Sequence, residues 1–201
     1  VLLSCDSYTD SIDKRISQAE KETKEIPIGV IGPLVMEGHF FDGISLAVDE
    51  INSQGGVLGR KLKTVVRDDT GSQSKAREIA REFSKNSNIV AVIGHSQGKT
   101  APTASITYEF NGILFISLVD TSPALTNHGF KYVFRTTPSD IERSQQLAIF
   151  LQTKGLRKIV ILHDEIERHR IIAYYIHAFN YNKEIQTIYQ SSYYSGKKQY
   201  Y

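Results

Sequence analysis

The chain has 201 residues, of which 40% are hydrophobic and 23% are charged, a composition typical of a folded globular protein. Its 24 Lys and Arg residues nearly balance its 22 Asp and Glu residues and are scattered along the chain, so a nucleic-acid-binding function is not indicated. No stretch reaches the roughly 18 consecutive apolar residues of a transmembrane helix, and the single cysteine excludes an internal disulfide bond.

The chain begins with a short apolar segment in front of a cysteine. Residues 1–4 are aliphatic or small, Cys5 follows them, and residues 6–25 are mostly polar. This arrangement resembles the end of a bacterial lipoprotein signal peptide, at which the cysteine is lipidated. We therefore predict that Cys5 carries a lipid anchor, that residues 1–25 are a signal-peptide remnant and polar tether, and that the earlier part of the signal peptide is missing. A free or buried thiol in a stray apolar end is the alternative.

Short β-branched runs alternate with amphipathic helical patterns in residues 26–137. The predicted elements are, in order, strand 26–31, helix 40–51, strand 62–67, helix 74–85, strand 89–93, helix 99–110, strand 113–117 and strand 132–135. Ser72 is placed to cap the second of these helices. The alternation predicts an α/β domain built on a parallel, doubly wound sheet.

The same alternation resumes in residues 138–201, with helix 141–153, strand 158–162, helix 166–180 and strand 185–189 predicted. Residues 191–201 are predicted to be a connecting loop. Parallel sheets are normally covered on both faces, and a sheet of two strands is too small to bury both. We therefore expect this second α/β unit to be truncated.

One segment imitates a nucleotide-binding motif. Residues 94–100 follow a predicted strand, open a helix and end in Gly98, Lys99 and Thr100, as a phosphate-binding loop does. That loop needs four residues between its glycines to wrap a phosphate, and three separate Gly94 from Gly98. The spacing therefore argues against nucleotide hydrolysis.

Other enzyme and metal patterns are equally weak. His95, Ser96 and Asp120 have the residue types of a nucleophilic triad, but no sharp glycine-flanked turn presents the nucleophile. The six histidines show no spacing typical of metal ligands. We predict no catalytic activity, no metal and no cofactor.

Two polar loops at strand ends are the candidate ligand site. Open parallel sheets bind ligands outside the carboxyl ends of their strands. Residues 96–100 lie at a predicted helix start, where backbone N–H groups bind anions and Lys99 adds a positive charge. Residues 117–122 form the second loop, in which Thr121 is the best-placed hydroxyl. Ordinary helix capping and turn formation is the alternative for both loops.

Several motifs together carry a family resemblance. They are IGVIGPL at 28–34, residues 43–52 with the glycines at 55–56, GRK at 59–61, RDD at 67–69, VIGH at 92–95, GILFIS at 112–117, TSPALT at 121–126, FRT at 134–136 and HD at 163–164. In this order they resemble the branched-chain amino-acid-binding (Leu/Ile/Val-binding) protein family, the type I periplasmic solute-binding proteins of ABC transporters. The resemblance runs from about residue 26 to residue 164.

The resemblance implies a type I periplasmic-binding-protein fold of two α/β lobes joined by a hinge, with lobe I at 26–137 and the start of lobe II at 138–201. It implies capture of a small polar ligand, an amino acid or a related carboxylate or amide, by closure of the lobes. The partner would be the membrane permease of an ABC importer, and the location the periplasm or the outer face of the cell membrane. A ligand-sensing ectodomain of a receptor is the alternative.

Carried over by position, the resemblance places ligand contacts at Gly98, Val119 and Thr121. The loop from His95 to Thr100, which includes Ser96 and Lys99, would hold the ligand carboxylate. The chain departs from the family at Gly98, where a hydroxyl residue is usual, at Lys99, and at Arg168, near where an aromatic residue often lines lobe II. The loop at 32–43 is also shorter. We therefore expect an ordinary zwitterionic amino acid not to be the best ligand, or to be held differently.

Overall fold

A computed structural model describes residues 3–21, 25–33, 38–95, 99–181 and 184–193 of the chain. The chain divides into two compact units, Val1–Thr137 (unit 1) and Pro138–Tyr201 (unit 2). The division falls at the residue where the sequence pattern restarts.

Unit 1 is built on a five-stranded parallel sheet of order β2-β1-β3-β4-β5. Its elements are α1 (Leu3–Ala19), β1 (Glu25–Ile31), α2 (Gly38–Ser53), β2 (Lys61–Arg67), α3 (Gln73–Lys85), β3 (Ala91–Gly94), α4 (Thr100–Phe110), β4 (Leu114–Ser117), a 3-10 turn (Pro123–Leu125) and β5 (Val133–Arg135). The predicted α/β class with a parallel sheet is confirmed.

The core of unit 1 lies between the sheet and helices α3 and α4. Helix α3 buries Ala76, Ile79, Ala80 and Phe83, whose spacing places them on one face. Ser72 caps this helix as predicted, since its hydroxyl accepts a hydrogen bond from the Lys75 N–H at 3.5 Å. The buried helix face holds α3 against the sheet.

The segment predicted to be a polar tether is instead a helix packed against the amino ends of the strands. Ile12 of α1 lies so close to Gly112, just before β4, that a Cβ on that glycine would stand 2.8 Å from Ile12 Cγ1. Seven residues later, the carbonyl of Ala19 accepts a hydrogen bond of 2.8 Å from Arg60, just before β2. Helix α1 therefore crosses this edge of the sheet from β4 towards β2.

Arg15 attaches α1 to unit 1. Its side chain is 4% exposed and donates hydrogen bonds to the carbonyls of Asn111 at 3.0 Å, Asn86 at 2.9 Å, Ser84 at 3.0 Å and Ile89. Three of these carbonyls belong to the C-terminal ends of α3 and α4, where unpaired carbonyls favour a positive charge. The polar sequence of α1 thus docks through a cation rather than through an apolar stripe.

Unit 2 contains α5 (Asp140–Thr153), β6 (Lys158–Asp164), α6 (Glu167–Tyr181) and β7 (Gln186–Tyr193), with β6 and β7 parallel. Strand β7 runs further than predicted, because Ser191 and Tyr193, placed in the expected loop, pair with Leu162 and Asp164. Residues 194–201 of that loop lie outside the described residues. Among the described residues, no helix has both the length and the apolar composition needed to cross a membrane.

Candidate functional site

The carboxyl ends of the five strands of unit 1 meet at one edge of the sheet. Strands β2 and β3 lie on opposite sides of β1, so the connections after β1 and β3 leave towards opposite faces. Open α/β sheets bind ligands at such a point. Gly94 ends β3 with a φ of +135°, and a Cβ there would lie 1.9 Å from the Ile31 carbonyl oxygen. Only glycine allows the two strand ends to come this close.

His95, the first residue after β3, lies fully buried in a hydrogen-bonded network. Its Nδ1 is 2.8 Å from Asp69 Oδ2, and its Nε2 is 2.9 Å from the hydroxyl oxygen of Tyr108. The Thr100 hydroxyl also hydrogen-bonds to Asp69. The network joins the turn after β2 to both described ends of the β3–α4 connection.

The protonation states in this network follow from burial. Burial lowers the pKa of His95 below its ordinary value of about 6.5, so the ring is neutral at pH 7. Burial acts to raise the pKa of Asp69, but hydrogen bonds from His95, Gly71 and Thr100 outweigh it, so the pKa is lowered and the carboxylate is ionised. Burial and the Asp69 charge raise the pKa of Tyr108 well above its ordinary value. His95 therefore donates through Nδ1 to Asp69 and accepts at Nε2 from Tyr108.

The start of α4 is suited to holding an anion. Lys99 is its exposed N-cap residue and provides no side-chain hydrogen bond to the first turn. The N–H groups in the first turn of an α-helix point away from the helix towards the space before it, and Pro102, the third residue of α4, has no N–H. The positive end of the helix dipole thus lies beside a lysine at the carboxyl edge of the sheet.

Arg135 shapes the second candidate loop, which follows β4. Its guanidinium donates to the carbonyl of Ser122 at 2.7 Å, to the Thr126 hydroxyl at 2.8 Å and to the carbonyl of Asp120 at 3.4 Å. The carboxylate of Asp120 accepts from the Ser122 N–H at 2.7 Å. The loop is therefore fixed from the neighbouring strand β5 and by its own turn.

Of the predicted ligand-binding residues, those that the structure describes lie at one edge of the sheet but differ in their surroundings. Val119 is 47% exposed, whereas Thr121 is 4% exposed, and His95 and Thr100 are fully buried. The side chains of His95 and Thr100 therefore lie in the interior, where both bond to Asp69, and are not exposed at this edge. Ser96 and Gly98 lie outside the described residues. Cys5 lies within helix α1.

The carboxylate partner of His95 differs from the one considered, and rejected, in the sequence analysis. The triad considered there used Asp120, but the carboxylate in contact with His95 is Asp69. No individual role was predicted for Asp69, Tyr108 or Arg135. The positive φ of His95, +51°, shows how sharply the chain turns there. In the described residues, no three His, Cys, Asp or Glu side chains form a cluster that could hold a metal ion.

In unit 2, the carboxyl end of β6 carries a smaller polar cluster. Asp164 accepts from the ring of His169 at 2.7 Å and from the Ile166 N–H at 3.1 Å. The Asp164 side chain is 12% exposed and that of His169 is 44% exposed. This cluster shapes the turn into α6.

An open parallel sheet with polar loops and a helix start at its switch point is the architecture typical of an α/β ligand-binding lobe. A family model described as periplasmic binding protein matches residues 25–170. The chain belongs to this family, which confirms the resemblance inferred from its motifs.

Named relatives agree with this membership. The chain is 36% identical over 136 residues to the leucine-specific-binding protein of Salmonella typhimurium. The matched segment covers 67% of the chain and 37% of that protein. It is 34% identical over 148 residues to the Leu/Ile/Val-binding protein of Escherichia coli K12. This second match covers 71% of the chain and 40% of that protein. The chain thus spans well under half the length of these relatives.

A solved structure shows the same architecture. An ABC transporter substrate-binding protein from Desulfitobacterium hafniense, in complex with Leu, is 38% identical and superposes with a TM-score of 0.75. The match covers 86% of this chain and 52% of that one. The fold predicted from the sequence is therefore confirmed.

Proposed function

We propose that the full-length protein is a solute-binding protein that captures an amino acid, or a related small carboxylate or amide, and delivers it to an ABC importer. The observation that carries this proposal is the position of α4, whose positive N-terminal end lies at the switch point of the sheet beside Lys99. The names of the relatives support it, since they describe binding proteins for leucine, isoleucine and valine and a transporter component. None of these names describes an enzyme.

In this proposal, the ligand carboxylate is held by backbone N–H groups at the start of α4. The helix dipole and Lys99 favour a negative charge there, and Thr121 supplies a hydroxyl from the neighbouring loop. Val119, which is 47% exposed, offers an apolar contact to the rest of the ligand. Gly98 and Ser96 are proposed contacts by resemblance. Unit 1 would be one of two lobes that close on the ligand.

We also propose that the protein works in the periplasm or at the outer face of the membrane and is anchored there by a lipid on Cys5. The description of the matching family supports the location. The sequence around Cys5 supports the anchor. Fractionation tests this point, because a Cys5→Ser variant of the full-length protein should leave the membrane fraction; equal membrane retention would refute the anchor.

Binding can be tested with the full-length protein by thermal shift, followed by calorimetry on any ligand that stabilises it. We expect an α-amino acid such as leucine, or a small carboxylate, to raise the melting temperature, because a ligand that binds only the native state stabilises it. The matching uncharged amide should bind about tenfold to a hundredfold more weakly than the acid, since a hydrogen bond to a charged group contributes about 1.5–3 kcal/mol.

A matched pair of lysines localises the interaction. Lys99→Ala should weaken binding of the acid more than binding of its amide, whereas Lys85→Ala, on the exposed end of α3 at the opposite edge of the sheet, should change neither. Saturable turnover of an ester or nucleotide, or no response to any amino acid, carboxylate or amide, would contradict the proposed function.

A further inference from the structure

Asp69 links the two described ends of the connection that carries the candidate ligand loop. Its carboxylate is fully buried and lies 2.8 Å from His95 Nδ1, directly after β3. It also accepts a hydrogen bond from the hydroxyl of Thr100, the first residue of α4. A third bond comes from the Gly71 N–H at 3.0 Å and fixes the carboxylate within its own turn.

His95 is held in a conformation that the chain would not adopt without support. Its φ of +51° is in the left-handed region, which residues with a side chain rarely occupy. Its N–H donates to the Ile31 carbonyl at 2.8 Å, and its ring lies against Phe115 with centroids 5.7 Å apart. The bond to Asp69 is the polar contact that ties this turn to the β2–α3 connection.

All the bonds that Asp69 makes require an acceptor. The neutral His95 ring donates through Nδ1, the Thr100 hydroxyl donates, and the Gly71 N–H can only donate. A carboxylate satisfies three donors at once, whereas an amide offers one oxygen and places two N–H bonds where acceptors are needed. The chemical identity of residue 69 therefore matters more than its size.

We propose that Asp69 is a positioning residue for ligand binding: from its buried site it orients the first turn of α4, and thereby the N–H groups that receive the ligand carboxylate, without touching the ligand. This inference rests on the proposed function. It assigns to Asp69, His95 and Thr100 a supporting role that agrees with their burial and with the hydrogen bonds that join them.

The test compares two neighbouring carboxylates in the full-length protein, with leucine as the probe in calorimetry well below the melting temperature. Asp69→Asn should weaken leucine binding by about tenfold or more, because two donors at the loop ends lose their acceptor. Asp68→Asn is the matched control, since the Asp68 carboxylate accepts a hydrogen bond within its own turn, from the Thr70 N–H at 2.7 Å. It should bind leucine as the unaltered protein does.

A purely structural role would lower the melting temperature of Asp69→Asn but leave the affinity at low temperature unchanged. A ¹⁵N spectrum of the His95 ring adds a second readout. The unaltered protein should show the Nδ1-protonated tautomer, and Asp69→Asn should shift it towards the Nε2-protonated form. The amides of Lys99 and Ala101 should exchange faster with solvent in the unliganded variant.

If Asp69→Asn does not fold, Thr100→Val carries the test, because it keeps the branched shape of a fully buried side chain and removes only the hydroxyl. It should weaken leucine binding by about threefold to tenfold. Affinity equal to that of the unaltered protein in whichever variant folds would overturn the proposal while leaving the proposed function intact. An unaltered protein that binds no amino acid or small carboxylate would refute the proposed function itself.

Discussion

The two units use the same alternation of strands and helices but are stabilised in different ways. Unit 1 has a continuous core in which residues such as Phe83, Tyr108 and Phe115 are fully buried. Unit 2 has a small core of Ile161, Ala173 and Ile176. Sequence alternation therefore specifies the elements in both units, whereas the amount of buried apolar surface differs greatly.

Strand β6 shows where the difference arises. Ile159 and Ile161 point to the covered face, but Val160 and Leu162, on the other face, are 52% and 64% exposed. Parallel strands with apolar residues on both faces are typical of sheets covered on both sides. The apolar outer face of β6 is thus uncovered among the described residues, and we expect unit 2 to contribute less stability than unit 1.

The largest expected effect is a cavity in the core of unit 1. Phe83→Ala should lower the free energy of unfolding by about 3–5 kcal/mol, through lost burial and the cavity that remains. Phe110→Ala, on the exposed face of α4 where the side chain is 58% exposed, should cost less than about 0.5 kcal/mol. Urea denaturation measures both. Similar costs for the two variants would show that unit 1 lacks the rigid core described.

A second expected effect is the pH dependence that the buried His95 gives to unit 1. The unfolded chain binds a proton at this residue near pH 6.5, while the folded chain binds it only at lower pH. The contribution of the neutral His95 to the free energy of unfolding should therefore be fully present above about pH 6.5. Below that pH it should decrease by up to about 1.4 kcal/mol per pH unit.

The groups that face His95 are the Asp69 carboxylate, the Tyr108 hydroxyl and the Phe115 ring. His95→Asn should flatten the slope just below pH 6.5, since asparagine tolerates a positive φ and does not titrate. His128→Asn, at an exposed position, is the control and should retain the slope. Denaturant unfolding from pH 5 to pH 8 measures how the free energy of unfolding depends on pH. The same dependence in the unaltered protein and in both variants would argue against a buried neutral ring at His95.

The smallest expected effect concerns helix caps and should be larger in unit 2. Ser139 and Glu142 form a reciprocal capping box at the start of α5, with bonds of 3.2 Å and 2.7 Å. Ser139→Ala should cost about 1 kcal/mol, whereas Ser72→Ala, which removes a single bond of 3.5 Å at α3, should cost about 0.5 kcal/mol. Hydrogen exchange in the first turn of each helix measures the difference. A larger cost for Ser72→Ala than for Ser139→Ala would contradict this prediction.

Much of the fold could be predicted because it depends on local patterns. The helix predicted at 141–153 is observed at Asp140–Thr153, and the strand predicted at 62–67 at Lys61–Arg67. Apolar periodicity and capping residues lie within a few positions of each other in the sequence, so they identify such elements directly.

The missed features depend on contacts that sequence spacing does not show. Asp69 and His95 are 26 residues apart, and neither lies in a motif that would pair them. The packing of helix α1 was missed because its main attachment is the buried Arg15, which bonds to carbonyls of Ser84 and Asn111 far along the chain. A polar segment with an isolated cation gives the same local pattern whether it is solvated or docked.

The docking of α1 has a consequence for the order in which the protein assembles on the ribosome. Arg15 is made early, but its carbonyl partners at Ser84 and Asn111 come 69 and 96 residues later. At a synthesis rate of about 5–20 residues per second, several seconds pass before the last partner exists. During this interval α1 lacks the surface on which it packs in the folded protein, so this segment stays accessible to factors that bind nascent chains until β4 has been made.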